Sequence, residues 1–143
     1  MAITQGMATS FKVQLLNGAQ NFSADTFKLA LYTSSASLGE GTTAYTTSGE
    51  VASTGNYTAG GNTLTVNVTP TSSGNVAYVS FANTSWANAT ITANGALIYN
   101  NTRSNAAVAV LAFGGDKTST NGTFAVNFPT ADASSAIIRL TAS

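Results

Sequence analysis

The chain has 143 residues, enough for one domain that buries roughly 70% of the surface its unfolded form would expose, and only 7% of them are charged, with a net charge of zero. Cysteine and histidine are both absent, which excludes a disulfide framework, thiolate chemistry, Ser-His-Asp triads, zinc hydrolase centres and most transition-metal sites. A neutral surface cannot neutralise several phosphates, so neither nucleic acid nor an acidic membrane is an expected partner.

Residues 1–10, MAITQGMATS, are polar and lack a basic region followed by an apolar core and a cleavage site. They read as a flexible segment rather than an export signal, placed before a single β-sandwich domain over residues 11–143. A short helix follows: Phe11, Leu15, Leu16 and Ala19 sit near helical spacing, with Thr9 or Ser10 as N-cap and Asn17-Gly18 as the stop. Phe27, Leu29 and Leu31 then alternate with Lys28, Ala30 and Tyr32, the pattern of a half-buried strand. The stretch from Ser34 to Glu50 is small, polar and glycine-rich, a long surface loop with one helical turn expected around Thr42 to Tyr45.

Gly60-Gly61 suits a two-residue hairpin turn, with Leu64, Val66 and Val68 on one face of the returning strand and Pro70 closing it. Ser73-Gly74 opens a strand carrying Val76, Tyr78 or Val79, and Phe81. The run ANGALIYNNTRSNAAVAVLAFGG predicts two more strands, bounded by Asn94-Gly95 and by Gly114-Gly115 and joined by NNTRSN. Residues 107–113 are apolar on both faces, and the second face needs the N-terminal helix or a neighbouring subunit to cover it. Gly122–Phe128, with Phe124, Val126 and Phe128 inward, and Ala136–Thr141 complete the series. The spacing is that of an antiparallel sandwich or barrel, and the length suits one all-β antiparallel two-sheet sandwich of about seven or eight strands with one short N-terminal helix. The longest apolar run, Ala106–Phe113, is far short of the roughly 20 residues that cross a bilayer, so no membrane partner is expected.

The chemistry on offer is sparse. Asp116 and Asp132 lie beside turn residues and read as turn caps rather than as a glycosidase pair. Lys117 sits in a glycine-flanked turn where nothing desolvates it, so a Ser-Lys dyad is disfavoured. The acids are too dispersed for calcium, and no phosphate-binding glycine motif occurs. The N-x-[ST] matches at Asn21, Asn56, Asn67, Asn83, Asn88, Asn100 and Asn121 are what a chain rich in Asn and Thr generates by chance. No catalytic, metal or cofactor site is expected. Trp86 closes one end of the core or, on the rival reading, stands with Tyr45 and Tyr57 as a platform for sugar rings.

The order TSFKVQLLNGAQNF, DTFKLALYT, NYTAGGNTL, a Trp after a short polar turn, GALIYNN before an apolar strand ending near glycine, GTFAVNFPT and a short final strand resembles the capsid cement or decoration proteins of tailed bacteriophages. That resemblance implies a jelly-roll homodimer, made in the host cytoplasm, that binds the major capsid protein on the outside of an HK97-type shell. Phe11, Tyr45, Tyr57, Trp86 and Arg103 are then candidates for subunit or capsid contact. The dimer contact is expected on an apolar sheet face or edge, and the capsid contact on Met1–Ser10 with the loop from Ser34 to Glu50. A tail component or a carbohydrate- or receptor-binding module is the alternative.

Overall fold

The computed structural model describes residues 2–141. It is an all-β sandwich of two antiparallel sheets with one short helix. The strands are β1 (Gly6–Met7), β2 (Phe27–Tyr32), β3 (Asn62–Thr63), β4 (Val66–Ser73), β5 (Val76–Phe81), β6 (Thr84–Asn100), β7 (Ala106–Val126) and β8 (Ile138–Leu140), and the helix α1 is Thr9–Leu16. They divide five and three: one sheet runs β1-β7-β6-β2-β3 and the other β4-β5-β8. Phe27 of β2 meets Phe81 of β5 at 5.8 Å between ring centroids, and Phe22 stacks on Phe27 at 4.5 Å, so an aromatic cluster joins the sheets under the helix.

The central strands explain the apolar run. Val108 and Val110 are fully buried, as are Leu29, Leu31, Leu97 and Ile98 of the neighbouring β2 and β6. The chain itself covers β7. The helix packs on it through Phe11, and its outer edge is closed piece by piece: Tyr45 and Ala107 donate to Asn105 and Thr43 carbonyls, Ala8 donates to Val108, β1 pairs Gly6 with Val110 and Met7 with Ala109, and the Gln5 side chain accepts from Ala112. Residues 5–8, within the segment expected to be flexible, lie along this edge, where an open strand would leave backbone donors and acceptors unpaired. Met1 lies outside the described residues, as do 142 and 143.

Several local expectations shift. The helix ends as read, at Asn17 and Gly18 with Gly18 at φ +78°, but its N-cap is Ala8 and no side chain caps it. The Thr9 amide instead donates to the Glu40 carbonyl, which satisfies one of the orphan donors of the first turn. No helical turn forms at Thr42–Tyr45; Ala44 bridges to Ala106 there. Gly60 and Gly61 have positive φ, yet β3 pairs with Lys28 and Leu29 of β2 instead of forming a hairpin with the preceding residues. Pro70 lies inside β4 rather than at its end, at a register shift on the outermost strand of its sheet, where a residue without an N–H costs no ladder bond. Gly114 and Gly115 do not end a strand: Phe113–Asp116 bulge out opposite Asn94, whose side chain donates to Asp116, and β7 continues to Val126.

Candidate functional site

The long loop is fastened to the large sheet through the outer edge of β2. β3 pairs with one end of that strand and Glu50 bridges to Tyr32 at the other. Between them the Leu31 amide donates to the Tyr57 hydroxyl at 3.0 Å, so a side chain fills a break in the ladder. Tyr57 donates in turn to one Glu50 oxygen at 2.7 Å, which also accepts from the Gly60 amide at 2.6 Å, while Tyr45 donates to the other oxygen at 2.6 Å. Tyr99 donates to the Gly60 carbonyl and Tyr32 to the Thr46 carbonyl. Burial pushes all four hydroxyls up, Tyr99 to about 12, and the charge on Glu50 adds to the effect at each. The tyrosine hydroxyls stay protonated and act as donors, so the cluster is a clasp that holds the loop.

A second polar cluster ties the chain after α1 to the β6–β7 turn. Asp25, with its side chain 2% exposed, accepts from Arg103 Nε at 2.9 Å, Asn100 Nδ2 at 2.8 Å and the Asn21 amide at 3.1 Å. Burial raises its carboxyl, but the bonds from Arg103, Asn100 and Asn21 outweigh that and hold it below its ordinary value. Asn100, fully buried, also donates to Gln20, which donates to Gln14.

These positions correct much of the expected contact set. Phe11, Tyr57 and Trp86 are buried, at 0%, 2% and 6% exposure, and cannot form a surface contact; Trp86 packs between Tyr57 and Phe124. Tyr45 is half-buried, stacked on Tyr99 at 4.7 Å. Arg103 is exposed and paired with Asp25. The structure brings Tyr45 and Tyr57 together on Glu50 and leaves Arg103 in the separate Asp25 cluster. An exposed aromatic platform for a sugar does not form from Trp86, Tyr45 and Tyr57.

The two segments expected to touch a capsid do adjoin. Ile3 bridges Leu38, with Thr4 donating to the Leu38 carbonyl and Leu38 to that of Ala2. Ala2, Thr4, Gln5, Ser37, Gly41 and Thr43 are exposed on them. Gln5 also borders an open cleft of about 520 Å³ between the two limbs of bent β7, whose walls include Leu111, Phe113, Phe124, Phe128 and Lys117. Its size is that of many ligand sites. Its walls mix these apolar side chains with Thr118, Ser119, Thr123 and Asn127, and Lys117 makes no ion pair among the described residues. Neither Glu50 as a hub nor this cleft is marked by local sequence: the walls of the cleft come from both ends of β7, from Phe128 and Pro129 after it, and from Gln5 and Ile137, which only the fold brings together. No group of three or more His, Cys, Asp and Glu that could hold a metal occurs among the described residues, and no helix among them is long and apolar enough to cross a membrane.

Comparison of the chain with protein-family models, with curated proteins and with solved structures finds no match to any of them.

Proposed function

We propose that this protein is a structural component of a virion, a cement protein that binds the outside of an icosahedral shell and stabilises it by bridging neighbouring major capsid subunits. The observation that carries the reading is the zipping of residues 2–4 onto Leu38. It turns two segments remote in sequence into one surface whose exposed positions are mostly uncharged, Ala2, Thr4, Ser37, Gly41 and Thr43 among them, continuous through Gln5 with a cleft of mixed apolar and polar walls. Such a surface suits adhesion to another protein, since the centres of protein interfaces are depleted of charge. A shell under internal pressure fails where subunits part, so a small protein that grips two of them at once resists that step most. Two linked weak contacts gain roughly 100- to 10,000-fold in effective affinity when geometry permits both.

The test is binding to shells prepared without the protein. Deleting the first nine residues would also remove β1 and buried Ala8, so the cleaner variants are Thr4→Arg and Ser37→Arg, both at exposed positions on the joined segments. Each is expected to keep the melting temperature within about 2 °C, as surface changes do, and to weaken shell binding at least tenfold. Binding unaffected by both variants, or virion mass spectrometry that finds the chain only in tails, overturns the capsid assignment.

A further inference from the structure

The closure of β7 along its outer edge stops at Ala112. Up to there the segment around Ala44 and residues 5–8 fill that edge. Beyond the bulge, residues 117–126 pair with β6 on one side, and no backbone bond or bridge fills the other side among the described residues. Alternate residues of such an edge aim an N–H and a C=O away from the sheet. The cleft of about 520 Å³ runs along this edge. Residues 123–128 all border it and no residue of β6 does. Successive side chains of a strand point to opposite faces, so a cleft on one face of the β6–β7 pair would be bordered by alternate residues of both strands. Inside it the rings of Phe113 and Phe124 approach to 6.3 Å between centroids, and Phe113 and Phe128 are half-buried. Lys117, exposed, is the one charged residue among the walls.

These features select the occupant. A free strand edge is met by extended backbone, a phenylalanine-lined recess beside it by an apolar side chain of that backbone, and a lone cation by an acid. We propose that residues 117–126 accept an extended segment of a partner protein as an added strand, with an apolar side chain of the segment in the cleft against Phe113 and Phe128 and a neighbouring Asp or Glu facing Lys117. In this mode main-chain hydrogen bonds supply affinity and the side-chain recess supplies selectivity. A lysine on an edge also discourages indiscriminate pairing, so Lys117 both guards the edge and chooses the occupant, by disfavouring a basic strand and favouring an acidic one. The inference deepens the capsid reading and rests on it only for the source of the segment, a major capsid subunit, while its test needs no shell.

The probe is a blocked hexapeptide, acetyl-Thr-Val-Phe-Val-Asp-Thr-amide, titrated into the isotope-labelled full chain and followed by NMR. It is expected to bind with a Kd on the order of 0.1–1 mM, as suits so small a contact, with the amide shifts concentrated at residues 117–128. Replacing the probe's Asp by Lys should weaken binding several-fold, and Lys117→Glu in the chain should reverse that preference. Methylating the probe's backbone nitrogens at alternate positions should abolish binding in one of the two phases, because only alternate N–H groups face the edge. An unchanged melting curve establishes that the Lys117→Glu chain folds. No saturable binding up to about 5 mM, shifts centred elsewhere, binding indifferent to both methylated probes, or a preference that Lys117→Glu leaves in place overturns the proposal. A probe that binds as expected to a chain that no shell retains overturns the capsid reading and leaves the strand site standing.

Discussion

A carboxylate surrounded by three donors cannot become an amide without setting one donor against another. Glu50→Gln is therefore expected to destabilise the fold by about 2 kcal/mol, since a hydrogen bond to a charged group contributes about 1.5–3 kcal/mol and Glu50 is only half-buried. Urea denaturation checks this; an unchanged midpoint would mean that the loop is held by packing alone. The tyrosines of the clasp add an alkaline limit. Their hydroxyl pKa values are raised in the folded state above the ordinary 10.0, Tyr99 to about 12, so the folded chain holds these protons more tightly than the unfolded one. Stability is then full below about pH 10 and falls as pH rises toward 12 and beyond. Phenolate absorbance and circular dichroism followed together should show the clasp tyrosines ionising with unfolding; their ionisation in a chain that keeps its structure would contradict their burial. Asp25 gives the opposite sign. Held below its ordinary 3.8, it stabilises the fold above that pH and the contribution is lost as pH falls through its folded value. Arg103→Ala should move that loss to higher pH in an acid titration, and an unmoved profile would mean that Asn100 and Asn21 suffice to hold the charge.

At the scale of the element, Gly61 and Gly114 separate two uses of one residue type. Both have positive φ, but a Cβ on Gly61 would sit 1.8 Å from the Leu29 carbonyl oxygen, whereas one on Gly114 meets nothing within 4 Å. Gly61→Ala should cost about 3 kcal/mol or more by driving β3 off β2, and Gly114→Ala only about 1–2 kcal/mol for its left-handed backbone. Thermal melts of the pair should rank them so; equal costs would remove the close-approach argument. Sequence displayed both glycine pairs but not which strand each would serve, because that is decided by contacts remote in the chain. The same holds for strands. Phe27–Tyr32 and Val76–Phe81 announce themselves by large apolar residues at alternate positions. The first half of β6 does not: from Ala89 to Ala93 the buried positions are Ala, Ile and Ala between Thr residues, and alanine looks neutral in a pattern search although the sheet buries it completely. Glu50 was invisible as a hub for a related reason. Its acceptors are satisfied by Tyr45, Tyr57 and Gly60, which only the folded loop brings to one point.

For the whole molecule, low charge has two consequences that pull together. With few ions to solvate it, the surface relies on Thr, Ser and Asn, and the edges of the large sheet are closed in part by short segments, Gln5 and the Tyr57 hydroxyl. The same economy leaves broad neutral surfaces on which another protein can settle without desolvating charge. The exposed positions of the joined N-terminal and loop segments, Ala2, Thr4, Gln5, Ser37, Gly41 and Thr43, form one such surface. The most direct test of the cement proposal is the fraction of shells surviving a heating series when shells made without this protein receive it in purified form. Bound protein is expected to raise the temperature of half-survival by several degrees, and Thr4→Arg to remove the gain. Shells that neither bind the protein nor survive longer with it would contradict the claim that it is a cement.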